Sequence, residues 1–192
     1  MSRVLFWVLV NLSATLGVGL AHGKECKGVS FPEQMQSEGS TLKLNGLGLR
    51  QATFLKVDVY VAALYVTDTS SDANVILKSS GPKELILHFV RDVGRTDLTK
   101  AWDEGFENNA SSQLPALKER IEAFKGLMPD MSKGQRLRFV YKPGAGTSVD
   151  VNGAVKGTVA GDDFARALFS IWLGSRPPNA ELKAGLLGGP CG

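Results

Sequence analysis

The chain has 192 residues, 43% of them hydrophobic and 21% charged, with a formal charge of +3 at neutral pH. That length suits one domain with a sizeable core, and the basic residues are spread too evenly to form the concentrated positive face of a nucleic-acid binder. Two cysteines, Cys26 and Cys191, and two histidines, His22 and His88, do not support a zinc site.

The N-terminus reads as an export signal. Arg3 supplies a short positive region, residues 4–10 are unbroken apolar, and residues 12–20 continue the run with small residues mixed in. Gly19 and Ala21 are the small residues that signal cleavage favours, and polar His22, Lys24 and Glu25 follow at once. Residues 1–21 are therefore expected to be a cleaved signal peptide, with residues 22–192 as one domain working in the periplasm or secreted. The competing reading of the leader is a membrane anchor, at the short end of the spanning range. No lipobox precedes Cys26, and past residue 22 no apolar stretch is long enough to span a bilayer. A soluble mature protein with no stable membrane anchor is expected. In an oxidising compartment Cys26 and Cys191, at the two ends of the mature chain, suit a disulfide. The loop-entropy estimate is about 4–5 kcal/mol, an upper figure because strain subtracts from it. Two free thiols on frayed ends are the alternative.

In chain order, residues 41–45 alternate apolar and polar as a half-buried strand does. Gly46-Leu-Gly48 interrupts them as a bulge or bend. Residues 54–66 are rich in β-branched and aromatic side chains. Their first half alternates, with Val57, Val59 and Val61 on one face and Lys56, Asp58 and Tyr60 on the other. Their second half is apolar on both faces, as in a strand entering a covered region. Residues 83–90 form another strand after Gly81-Pro82. Thr96 or Asp97 caps a helix carrying Leu98, Ala101, Trp102 and Phe106. Pro115 suits the first turn of the next helix, with Leu117, Ile121, Phe124 and Met128 at helical spacing; Gly126 loosens its end and Pro129 stops it.

Residues 135–142 give a further strand, with Leu137, Phe139 and Tyr141 on one face, followed by turn chemistry in Pro143-Gly-Ala-Gly146. Residues 148–151 and 155–159 flank Asn152-Gly153, the strongest hairpin signal in the chain. Asp162-Asp163 suits a helix N-terminus. Phe164, Leu168, Ile171 and Trp172 form the face of that helix, and Gly174 ends it. A short helix covers about residues 179–187. This order predicts an α+β fold, a large antiparallel sheet with helices packed on one face.

No Ser-His-Asp set is present, because His88 sits within a strand without an evident partner. Gly144-Ala-Gly146 and Gly46-Leu-Gly48 lack phosphate-loop spacing and its lysine. No pair of carboxylates stands out, and Asn109-Ala-Ser111 is only a short match to a glycosylation acceptor. What remains is Arg50, directly after Gly46-Leu-Gly48-Leu, and Tyr60, flanked by Ala62 and Ala63. In one straight strand they would be more than ~30 Å apart at ~3.3 Å per residue. They meet only if the chain reverses near residues 51–53, where turn residues are scarce. On composition alone an exposed arginine and a core tyrosine fit as well.

Gly46-Leu-Gly-Leu-Arg50, the run Lys56-Val-Asp-Val-Tyr-Val-Ala-Ala-Leu-Tyr65, Tyr141-Lys-Pro-Gly144, Val151-Asn-Gly153, Phe164-Ala-Arg-Ala-Leu-Phe-Ser-Ile-Trp-Leu-Gly174 and residues 182–188 together resemble the bacterial exported branch of the chalcone isomerase-like family. The likeness spans nearly the whole mature chain. It implies a large antiparallel sheet under a layer of helices, with a ligand cleft between. In the plant isomerases an arginine at the place of Arg50 steers an anionic substrate. In the fatty-acid-binding members an arginine and a tyrosine hold a carboxylate, and Tyr60 falls where those members have that tyrosine and the isomerases a threonine.

The family's asparagine is matched by Asn108. The isomerases' tyrosine on the helix after the third strand has no counterpart, the nearest residues being Leu98, Ala101 and Trp102, and Ile171 replaces a hydroxyl residue near the C-terminus. An apolar cleft anchored by Arg50, Tyr60 and Asn108 suits a fatty acid or similar amphipathic carboxylate, with no cofactor. Intramolecular lyase (isomerase) activity of the chalcone isomerase type, using those same three residues, and an interaction protein with a filled cleft are the alternatives.

Overall fold

The computed structural model describes residues 23–191 apart from Glu38 and Phe54; the expected signal peptide lies outside the described residues. Seven strands form one antiparallel sheet in simple sequence order: β3 (Gln34–Ser37), β4 (Ser40–Ala52), β5 (Val57–Val66), β6 (Lys83–Phe89), β7 (Arg136–Lys142), β8 (Gly146–Val151) and β9 (Ala154–Val159). Before them, β1 (Gly23–Cys26) and β2 (Val29–Pro32) make a separate hairpin. Helix α1 (Ala73–Lys78) links β5 to β6, α2 (Arg95–Ala110) and α3 (Leu114–Gly126) link β6 to β7, and α4 (Asp162–Leu173) and α5 (Ala180–Leu186) close the chain. Among the described residues no helix is long and apolar enough to cross a membrane.

Each face of the sheet has its own cover. Tyr60, Ala62, Leu64, Leu85, Leu87, Phe89, Leu137 and Phe139 pack beneath the helices. Leu44, Leu47, Leu49, Val61, Ala63 and Tyr65 face the other way, with Phe31 and Cys26 of the hairpin upon them. The run of apolar residues in β5 is thus buried on both sides, as its composition predicted. Asn152 and Gly153 both take positive φ (53° and 87°), the backbone of a tight hairpin turn between β8 and β9.

The parity of β4 is set by a bulge. The pairing with β5 slips between Leu44 and Gly46, leaving Asn45 as the extra residue. Leu42 and Leu44 therefore share a face with Leu47 and Leu49, although their numbers differ in parity. Gly46, Gly48 and Arg50 are turned to the helix side. Asn45 is tied in place: its Nδ2 donates to the carbonyls of Leu186 (2.7 Å) and Ser70 (3.0 Å), and its Oδ1 accepts from the Ser70 amide (2.8 Å).

The two glycines do more than bend the strand. They form a bare strip on which α5 lies backbone against backbone. A Cβ on Gly46 would stand 2.1 Å from the Gly185 carbonyl oxygen, and one on Gly48 2.3 Å from that of Leu182. Beyond α5 the chain reaches Cys191, which is disulfide-bonded to Cys26 with Cα atoms 6.0 Å apart. The bond ties the last helix to the hairpin on the opposite face.

Two local expectations need correction. Helix α2 begins at Arg95 after Gly94, not at a Thr96 or Asp97 cap. The Asp130 carboxylate, from after α3, accepts from the Arg95 amide instead (2.7 Å). Asp58 and Tyr60 do not share a face. The ladder slips again between Arg50 and Gln51, making Val59 the extra residue, and Asp58 meets Gln51 (2.7 Å) and Lys27 of the hairpin (3.8 Å).

The glycine strip predicts a sharp contrast under urea unfolding. Gly48→Ala should lose about 1–3 kcal/mol through overpacking. Gly126→Ala, whose Cβ meets nothing within 4 Å, should be neutral or gain up to about 1 kcal/mol of helix propensity. Equal stability of the two variants would contradict backbone contact between α5 and β4.

Candidate ligand-binding site

Arg50 and Tyr60 are direct partners across the β4–β5 ladder. The chain reverses between them through Thr53 and Lys56, both at positive φ (62° and 51°). The Lys56 amide donates to the Thr53 carbonyl (3.2 Å), and the Thr53 hydroxyl accepts from the Leu55 amide (3.3 Å). No glycine or asparagine marks this turn, which is why the sequence left the meeting of the two residues open.

Tyr60 is buried, with its ring edge-on to Phe89 at 5.7 Å. The Trp172 indole N–H donates to its phenol oxygen at 2.9 Å. Burial pushes the phenol up to about 12, against the opposing effects of the indole bond and the positive charge of Arg50. The group is a neutral phenol that accepts from Trp172 and keeps its own proton to donate.

Arg50 is half-buried at the edge of the helix layer. Its Nη1 donates to the Asn179 side-chain oxygen (3.1 Å) and to the carbonyl of Gln51. The same Asn179 oxygen accepts from the Gln51 amide (3.0 Å), so the residue that opens α5 clamps the Arg50 corner. Among the described residues no carboxylate lies within ion-pair distance of Arg50.

Deeper in, the space between sheet and helices holds aromatic rings. Trp102 of α2 lies 5.5 Å from Trp172 of α4, 5.9 Å from Phe139 of β7 and 6.1 Å from Phe124 of α3, centroid to centroid. Its indole N–H is buried and has no hydrogen-bond partner among the described residues, an arrangement that costs about 1–3 kcal/mol. The inner face of α2 otherwise carries Leu98 and Phe106, and Ile171 of α4 is buried as well. Two hollows stand out among the described residues. One, of about 270 Å³, lies between Lys24, Glu25, Gly46 and Cys191; the other, of about 60 Å³, lies beside Lys83 and Arg166. Neither touches Arg50 or Tyr60.

The structure does not bring Asn108 to this pair. Its side chain is exposed, and its backbone carbonyl accepts from Arg176 (3.1 Å). The next residue, Asn109, is the engaged one: its Nδ2 donates to the Gly105 and Arg176 carbonyls, and its Oδ1 accepts from the Arg176 amide. That leaves little of Asn109 for glycosylation. Asn179, Trp172 and the unpartnered indole of Trp102 were not singled out as site residues from the sequence. His88 is paired after all, its Nδ1 accepting from Arg136 at 3.3 Å. Among the described residues no group of three or more His, Cys, Asp or Glu is placed to hold a metal.

A family model described as chalcone isomerase-like matches residues 23–188. Among solved structures, the Arabidopsis thaliana fatty-acid binding protein superposes with a TM-score of 0.68 at 16% sequence identity, covering 86% of this chain and 96% of that one. None of the curated proteins matches the chain.

The chain has three tyrosines, and all three phenols are raised. Tyr60 and Tyr141 reach about 12 through burial, Tyr141 also through the neighbouring Asp162 carboxylate, and Tyr65 is raised through burial and the nearby Glu84 charge. The folded state therefore holds phenolic protons that the unfolded chain loses near pH 10. Their contribution to stability should be intact below about pH 10 and fall as pH rises from there towards 12. An ultraviolet phenolate titration should show phenolate appearing together with alkaline unfolding. One phenol ionising near pH 10 in the intact fold would contradict the burial of that residue.

Proposed function

The chain belongs to the chalcone isomerase-like family, and on that premise we propose that it is a non-catalytic member, working in the periplasm or secreted, that binds a fatty acid or similar amphipathic carboxylate at Arg50 and Tyr60. The observation that carries this reading is a cross-strand pair of donors on the helix-covered face. Among the described residues Arg50 has only amide and carbonyl oxygens for partners, and the phenol beside it keeps a proton to give. A carboxylate accepting from both would gain charge-assisted hydrogen bonds. The apolar tail would run among the rings of Phe89, Trp172 and Trp102. The orphan indole of Trp102 adds a further donor to a region poor in acceptors. The disulfide supports an oxidising compartment, in keeping with the leader.

Lyase chemistry fits less well. Closing a phenolate onto an enone needs oriented polar groups at the reacting atoms, and the inner face of α2 presents Leu98, Trp102 and Phe106. A second reading, a scaffold or interaction protein with a filled interior, is favoured by one observation: the aromatic rings occupy the space beneath the helices, and neither hollow reaches Tyr60. Under the carrier reading those rings swing aside when the tail enters.

Mass spectrometry of lipids extracted from protein purified out of its native compartment should find a long-chain carboxylate. The delipidated protein should rebind it, and Arg50→Gln should weaken binding about ten- to a hundredfold. An empty protein that also ignores added fatty acids would favour the filled interior. A chalcone absorbance assay should show no rate above background.

A further inference from the structure

The second hollow has a chemistry of its own, unconnected with Arg50. It lies where the C-terminal end of α1 meets the first turn of α4, above the start of β6 and the end of β7. Its floor is Lys83, only 5% exposed, with the ammonium 4.9 Å from the centroid of the Tyr141 ring. One ammonium proton goes to the Ser79 carbonyl (2.7 Å), and an ammonium has three to give. Around the mouth stand Lys78, Ser79, Ser80 and Arg166, all exposed.

Charge is out of balance here. Lys78, Lys83 and Arg166 share the pocket with one carboxylate, Asp162, whose charge also acts on the Tyr141 phenol. Among the described residues none of the three cations has a carboxylate within ion-pair distance. A buried ammonium without an anion is costly. Burial and the neighbouring Arg166 charge hold Lys83 down to about 8, with Asp162 acting the other way. A small tetrahedral anion would supply the missing charge. The hollow has about 60 Å³, several times the minimum for one water. Serine hydroxyls and the Arg166 fork at its rim are suited to oxyanion oxygens.

We propose that the pocket formed by Lys83, Arg166, Lys78, Ser79 and Ser80 is a binding site for a phosphate-type oxyanion, with Lys83 as the floor contact and Arg166 as the clamp at the mouth. The anion reaches it either free or as the headgroup of a phospholipid. Because the pocket shares no residue with the Arg50–Tyr60 pair, carboxylate binding there is untouched by changes made here.

The test uses the purified protein at constant ionic strength, titrated by calorimetry with inorganic phosphate and, as control, with chloride. In a second arm it is exposed to vesicles of phosphatidylglycerol or of phosphatidylcholine. Saturable phosphate binding is expected, about tenfold weaker in Arg166→Gln, together with a rise in the Lys83 amine pKa when phosphate is bound, read by NMR of the side-chain nitrogen. Selective binding of phosphatidylglycerol vesicles that Arg166→Gln also weakens supports the same site with a lipid source. Lys83→Met should abolish binding; should it fail to fold, the surface variants Arg166→Gln and Lys78→Gln still decide. Binding no stronger than chloride in both arms, or binding that Arg166→Gln leaves unchanged, overturns the proposal and leaves Lys83 as a cap on the end of α1.

Discussion

Backbone contact between α5 and β4 is the constraint on which the arrangement of the site depends. Two residues without side chains leave a strip on which a helix can lie against a strand. The bulge at Asn45 aims that strip at the helix layer and not at the hairpin. Once α5 is seated, its opening residue Asn179 falls on Arg50 and Gln51. The guanidinium is held at the edge of the interior, on the same face as Tyr60. At the other end of α5, Cys191 is bonded to the hairpin strand beneath the sheet, which limits how far this helix can lift. An opening for a ligand is therefore more easily made at α2 and α4 than at α5.

The interior those elements enclose is unusual in its polar balance. Trp172 donates to the Tyr60 phenol oxygen, but among the described residues neither the phenol proton nor the Trp102 indole N–H has a hydrogen-bond acceptor. A surplus of donors next to a cation selects for an acceptor-rich, negative guest. The same interior is closely filled by aromatic rings, so a guest must displace packing contacts that stabilise the empty protein. Under the proposed carrier role, affinity would be the difference between charge-assisted bonds at Arg50 and the cost of parting those rings. A long apolar tail offsets that cost by about 0.8 kcal/mol per buried methylene; a short carboxylate does not. Under that proposal the balance would favour fatty acids over small organic acids.

Much of the fold was legible in the sequence. Alternation revealed the long strands, Asn152-Gly153 the last hairpin, and helical spacing α2, α3 and α4. The missed elements share a physical reason. Helix α1 and strands β1 to β3 are too short for a period to emerge. The Asp130 cap of α2 lies 35 residues from the amide it satisfies, beyond the reach of any local motif. The turn after β4 uses Thr53 and Lys56 at positive φ, where no residue type announces it. Asn108 and Asn109 differ by one step, which is about 100° around a helix, and only packing decides which one points inward. Gly46 and Gly48 were visible as an interruption, but that they made room for another backbone required the partner helix.

The central claim is that a carboxylate enters beneath the helices at Arg50 and Tyr60. The domain has two tryptophans, Trp102 and Trp172, each with one indole N–H, and both lie where the tail would run. A nitrogen-15 NMR titration with a long-chain fatty acid reads them directly. The account predicts that both indole resonances move to new, saturating positions in the protein, and that Arg50→Gln suppresses the movement at the same concentrations. Indole resonances that stay fixed while only surface amides shift would contradict it.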